Sequence, residues 1–227
     1  MGPRVLYQLV LSPYCTKVRW GLEWKRLDYD AVEIDPFTRK EPRNASGQGK
    51  VPVLEDGGTV IADSTRILAY LEEAYPDRGL IPRQPAARAS VLALEDWADE
   101  VFIPDLIAFK IFSADNPRRM VVRTAKHHPP SFLMKLQVLV GPAVVRSLGR
   151  SRRRGRSLSQ LRSDYERHLD LLDSMASGRP YLTGDGPTVF DAAVWGGLWS
   201  MKGMAGEELL GPRVNLSGWF RRMQSEI

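Results

Sequence analysis

Leu6-Tyr7-Gln8-Leu9, followed by Ser12-Pro13-Tyr14-Cys15, reads as a β-strand, a tight turn and the first turn of a helix. Pro13 fits that position, because the N–H it lacks has no partner at the start of a helix. From residue 14 to residue 27, Val18, Leu22 and Leu27 with Trp20 and Trp24 keep a helical mix of apolar side chains, and residues 29–34 then alternate as a second strand. Working outward, residues 51–55 and 59–62 flank Asp56-Gly57-Gly58, a strong hairpin signal. Ser64 is expected to cap a helix whose stripe is Ile67, Leu68, Leu71 and Tyr75. The polar stretch from Asn44 to Gly49 leaves room for one more helix, giving β-α-β-α-β-β-α within about 75 residues, an α/β unit.

The rest of the chain reads as all-α. Pro76, Pro82 and Pro85 punctuate a linker, so the expected division is a first domain over residues 1–76, a linker over 77–85 and a helical domain over 86–227. Residues 86–112 are helical, with a kink expected at Pro104; residues 131–148 are apolar with a break expected at Gly141-Pro142; residues 158–175 carry Leu161, Tyr165, Leu169 and Leu172. Thr188-Val189-Phe190-Asp191 opens a further apolar helix as a capping box, with Asp where Glu or Gln is usual.

Composition sets bounds on function. The net charge of +5 is uneven: residues 116–163 contain no Asp or Glu and hold twelve of the 32 Lys and Arg residues. Cys15 is the one cysteine of the sequence, which excludes an internal disulfide and a four-cysteine zinc site. No apolar run reaches the roughly 20 residues of a membrane span, and no signal-peptide pattern precedes the first strand, so the expected compartment is the cytoplasm. Phosphate-binding loops and zinc-protease spacings are absent, His127-His128 beside Pro129-Pro130 reads as a loop, and no metal is expected.

Taken together, Ser12-Pro13-Tyr14-Cys15, Gly49-Lys50-Val51-Pro52-Val53-Leu54, Ile61-Ala62-Asp63-Ser64 and Pro180-Tyr181-Leu182-Thr183-Gly184-Asp185 running into Thr188-Val189-Phe190-Asp191 resemble the cytosolic glutathione transferase family. The resemblance is weakest over residues 109–157. It implies a thioredoxin-like domain joined to an all-helical one, glutathione as co-substrate, a small apolar electrophile as its partner in detoxifying conjugation, and a homodimer. By this resemblance Ser12 donates its hydroxyl to the glutathione sulfur, Lys50 meets the glycine carboxylate, a cis Val51-Pro52 turn offers its main chain to the cysteinyl unit, Asp63 takes the α-ammonium and Ser64 holds the γ-glutamyl carboxylate. The physics is consistent: lowering a thiol from about 8.5 by two units needs roughly 2.7 kcal/mol, within reach of one hydroxyl and a helix N-terminus. Between the domains, Trp97, Val101, Phe102 and Phe109 are candidate electrophile contacts.

Two other readings stand beside this one. Cys15, at the second position of a Cys-Pro-Tyr-Cys-like motif whose first position is Ser12, points to thiol-disulfide chemistry if accessible and to a structural role if buried. The basic segment, with Arg150, Arg152, Arg153, Arg154 and Arg156 after an apolar helix, suggests a non-catalytic scaffold lying on an anionic membrane surface, or electrostatic nucleic-acid binding without sequence readout. No specific nucleic-acid partner is expected.

Overall fold

The computed structural model describes residues 3–36, 38–127 and 132–227. Strand β1 (Val5–Gln8) leads into helix α1 (Pro13–Trp24), then β2 (Asp30–Glu33), α2 (Lys40–Ser46), β3 (Val53–Asp56), β4 (Thr59–Ala62) and α3 (Ser64–Ala74). The four strands form one mixed sheet in the order β2-β1-β3-β4, with β1 parallel to β2 and antiparallel to β3. The β3–β4 turn is the two-residue kind the sequence announces: Asp56 faces Thr59, and Gly57 and Gly58 take φ of 57° and 91°, which a side chain would resist. This α/β unit is followed by α4 (Pro85–Trp97), α5 (Ile103–Phe112), α6 (Asn116–Ala125), α7 (Phe132–Arg153), α8 (Leu158–Ala176), α9 (Val189–Trp199) and α10 (Val214–Ser225). The expected fold class, a thioredoxin-like domain before an all-α domain, is the one observed.

One hydrophobic core runs through both parts, from Leu6, Trp20 and Leu54 to Phe102, Phe190 and Trp219. The principal seam is α1 against α9, and it is tight: a Cβ at Gly196 would fall 2.6 Å from the Pro13 carbonyl oxygen. The capping box reads as expected. Asp191 is fully buried and accepts from the backbone N–H groups of Thr188 (3.0 Å) and Leu182 (2.9 Å) and from the Trp219 indole (2.9 Å). These bonds satisfy a carboxylate whose burial pushes its pKa up.

Three local expectations are corrected. Asp63, not Ser64, caps α3: its Oδ1 accepts from the N–H groups of Thr65 (3.0 Å) and Arg66 (3.2 Å), and Ser64 becomes the first helical residue. Helix α7 runs unbroken through Gly141-Pro142. A Cβ at Gly141 would lie 3.0 Å from Val121, so close packing on α6 holds the helix where Pro142 alone would break it. Ahead of Pro104 the chain forms a π-helical turn over Ala98–Phe102, in which Ile103 N–H bonds the Ala98 carbonyl. The sequence reading gave no element for α6 or α10.

Candidate functional site

The β1–α1 turn sets the centre of the site. Ser12 N–H bonds the Leu9 carbonyl (2.9 Å), and Ser12 takes the N-cap position with φ −76° and ψ 121°. Its Oγ accepts from Cys15 N–H at 3.4 Å. The hydroxyl, half-buried, lines a cleft of about 710 Å³ between the two parts of the chain, at the positive end of α1.

Lys50, Val51, Pro52, Asp63 and Ser64 line the same cleft. The Val51–Pro52 peptide is cis. Asp63 N–H reaches the Pro52 carbonyl (3.4 Å), which ties the β4–α3 junction to the Val51-Pro52 turn. Asp63 holds φ of 90° and stays exposed while its Oδ1 caps α3; Ser64 is buried beside it. The six residues thus come together from three separate segments of sequence.

Cys15 does not join them. It is fully buried, its Sγ accepts from Leu9 N–H at 3.5 Å, and burial pushes its thiol up to about 11. A thiolate is therefore scarce at neutral pH, and Cys15 fills a core position.

The electrophile candidates are corrected. Phe102 and Phe109 are core residues, Trp97 stacks on Phe102, and none of Trp97, Val101, Phe102 or Phe109 lines the cleft. The far wall is instead built by Ile107 of α5, Met120 and Val121 of α6, and Val144 and Val145 of α7. Phe109 on α5 turns toward α8, where it stacks on Tyr165, and leaves the aliphatic Ile107 facing the cavity.

Further cleft residues were not singled out by sequence. Arg39, in left-handed conformation with φ of 49°, braces the loop by donating to the carbonyls of Pro36 (3.0 Å) and Gly49 (3.1 Å). Tyr14 donates to the Asp99 carbonyl (3.2 Å), and burial raises its phenol pKa, with Asp99 adding to the effect. Beneath Asp99 lies a buried cluster: Lys17 pairs with Glu95 and with Asp99 (2.8 Å), and Thr65 donates to Glu95 (2.7 Å). The expectable signal for it was a lysine on the apolar face of α1, but Glu95 is 78 residues away. Lys110 of α5, also lining the cleft, donates to Leu11 O (3.3 Å), Ser200 O (3.4 Å) and Ser200 Oγ (2.9 Å).

The basic segment is partly consumed by the fold. Arg156 bridges Asp105 and Asp164 (2.7 Å each), Arg123 lies over Trp199 and donates to the Lys202 carbonyl, and Arg146 donates to the Ala114 carbonyl. Among the described residues no helix is long and apolar enough to cross a membrane and no cluster of metal-ligating side chains occurs. His128, Pro129, Pro130 and Ser131 lie outside the described residues.

Comparison with known proteins agrees with this architecture. Residues 6–79 match the model of the glutathione S-transferase N-terminal domain, and residues 150–222 that of the C-terminal domain. Prostaglandin E synthase 2 of Danio rerio is 25% identical over 96% of this chain and 70% of that protein. Glutathione S-transferase 1 of Dianthus caryophyllus is 39% identical over 37% of this chain, an alignment spanning 40% of the plant protein. A solved glutathione S-transferase from Rhodospirillum rubrum superposes with a TM-score of 0.67 at 26% identity, covering 96% of this chain and 86% of that one. With both domain models matched in order and one fold shared over nearly the full length, the chain belongs to the glutathione S-transferase family.

Proposed function

We propose that the protein binds reduced glutathione and joins its sulfur to a small apolar electrophile. Members of the family use glutathione as substrate or co-substrate. In this reading Ser12 Oγ donates to the bound sulfur and, with the N-terminus of α1, favours the thiolate; the thiol proton leaves to solvent. Sulfur then attacks the acceptor carbon, a C–S bond forms, and a leaving group departs with its electron pair. Lys50 meets the glycine carboxylate, the Val51-Pro52 main chain pairs with the cysteinyl unit, Asp63 takes the α-ammonium through the carboxylate oxygen not used in capping, and Ser64 holds the γ-glutamyl carboxylate. Arg39 adds a second cation beside Lys50. The active species is a homodimer, which light scattering tests as twice the 25.6 kDa chain mass.

The observation that carries this reading is that Ser12, Lys50, Val51, Pro52, Asp63 and Ser64 share one cleft while Cys15 is turned into the core. The test is conjugation of glutathione to 1-chloro-2,4-dinitrobenzene. Ser12→Ala is expected to lose about 10- to 100-fold in kcat/KM, the worth of one hydrogen bond to a charged group, and to raise the thiol pKa of bound glutathione. Cys15→Ser should keep its activity per folded molecule. Activity that follows Cys15 instead refutes the assignment.

A further inference from the structure

The far half of the cleft differs in charge from an ordinary apolar pocket. Helices α6 and α7, which supply most of that wall, contain no Asp or Glu at all. The apolar residues Ile107, Met120, Val121, Val144 and Val145 lie there with two basic side chains, Lys110 and Arg152. Of the neighbouring arginines, Arg146 is engaged on a main-chain carbonyl, Arg153 over the Phe112 ring and Arg156 between two carboxylates, and of the run from 150 to 156 it is Arg152 that lines the cleft. Arg152 is exposed at the cavity and, among the described residues, pairs with no carboxylate. Its charge is nonetheless felt inside, since it opposes the raised pKa of the Tyr14 phenol.

Three acids also line the cleft, and among the described residues none makes an ion pair with Arg152: Asp99 shares Lys17 with Glu95, Asp63 caps α3 with one carboxylate oxygen, and Glu100 is exposed on the π-helical turn. Lys110 is buried against three neutral acceptors with no carboxylate beside it, and burial pushes its ammonium down to about 7, so Arg152 is the standing cation of this wall. A greasy wall rimmed by an uncommitted guanidinium favours a ligand that is apolar in its body and anionic at one end. At about 710 Å³ the cleft has room for a tripeptide and a second small molecule.

We propose that the acceptor is an organic acid, an apolar electrophile bearing a carboxylate, and that Arg152 is the specificity-determining residue that receives this carboxylate at the cleft mouth. The proposal rests on the transferase reading for the word acceptor, while the anion site itself can be measured without turnover.

The probe pair is 4-chloro-3,5-dinitrobenzoate and its methyl ester, which share a ring and differ in charge. Conjugation of either forms one C–S bond and expels chloride with its electron pair, the thiol proton going to solvent. Binding is measured first, without glutathione, by calorimetry at low ionic strength. The acid should bind at least fivefold tighter than the ester. Arg152→Gln should weaken the acid about tenfold and leave the ester within twofold, Arg152→Lys should keep most of the affinity, and 0.5 M salt should erode the acid's advantage. Because Arg152 is exposed and unpaired, the variants should fold as the parent, which circular dichroism verifies. Equal binding of acid and ester, equal weakening of both by Arg152→Gln, or no binding of either overturns the proposal. Turnover is assayed separately: an acid that binds through Arg152 and is never conjugated refutes the transferase reading and leaves the anion site standing.

Discussion

Replacing Gly196 by alanine should drive the two parts of the molecule apart at the point where the site is built. The added Cβ would stand 2.6 Å from the Pro13 carbonyl oxygen, 2.8 Å from Lys17 N and 3.2 Å from Lys17 Cα, all main-chain atoms of the first turns of α1. Ordinary contact begins at 3.4 Å, so α1 and α9 must separate by about 0.8 Å, and no rotamer change can relieve the clash. Overpacking of this kind costs about 1–3 kcal/mol, with main-chain clashes at the upper end, and alanine returns up to about 1 kcal/mol of helix propensity. The expected net loss is about 2 kcal/mol. Gly218 on α10 supplies the control, because its Cβ would meet nothing within 4 Å and alanine there should be neutral or stabilising by up to about 1 kcal/mol. Urea unfolding followed by tryptophan fluorescence reads both. Conjugation by Gly196→Ala should also fall, since the displaced turn begins at Ser12. A Gly196→Ala protein as stable as Gly218→Ala would refute the reasoning about the seam.

Further outcomes follow from the buried charges. Lys17→Met strands Glu95 and Asp99 without their cation and should destabilise by about 3–5 kcal/mol at pH 7, and by less at pH 5, because burial already raises the Asp99 carboxyl and loss of its cation raises it further; equal loss at both pH values would refute the pairing. Burial lowers the Lys110 ammonium from 10.5 to about 7, so between these values the unfolded chain binds one more proton than the folded one, and raising pH through that window favours folding. Relative to Lys110→Met, the parent should therefore gain about 2 kcal/mol between pH 7 and pH 9 in urea titrations, and a pH-independent difference would show that the amine is not buried as described.

Features with local causes were legible in sequence. Ser12-Pro13, the Gly57-Gly58 turn and the Thr188–Asp191 box each work through groups within a few residues, and each stands where the sequence reading put it. The cap of α3 was misassigned because Asp63 and Ser64 both carry suitable oxygens, and the choice falls to backbone geometry at Asp63. The far wall of the cleft was not legible. Phe109 and Ile107 stand two residues apart on one helix, and which of them faces the cavity is decided by Tyr165, more than fifty positions later. Pro142 misled for a similar reason, since a local rule for breaking helices yields to packing on Val121. Helix α6 is ten residues long with three arginines, and its large apolar side chains, Met120, Val121 and Val122, fall in one consecutive run too short to read as a repeat.

The indole nitrogen of Trp20 in α1 is bonded to the carbonyl of Met223 in α10 at 2.9 Å, and the core closes around both. Helix α7, by contrast, packs chiefly on α5 and α6, away from that closure. Substitutions along α6 and α7 can therefore reshape the far wall of the cleft while the turn that holds Ser12 keeps its shape.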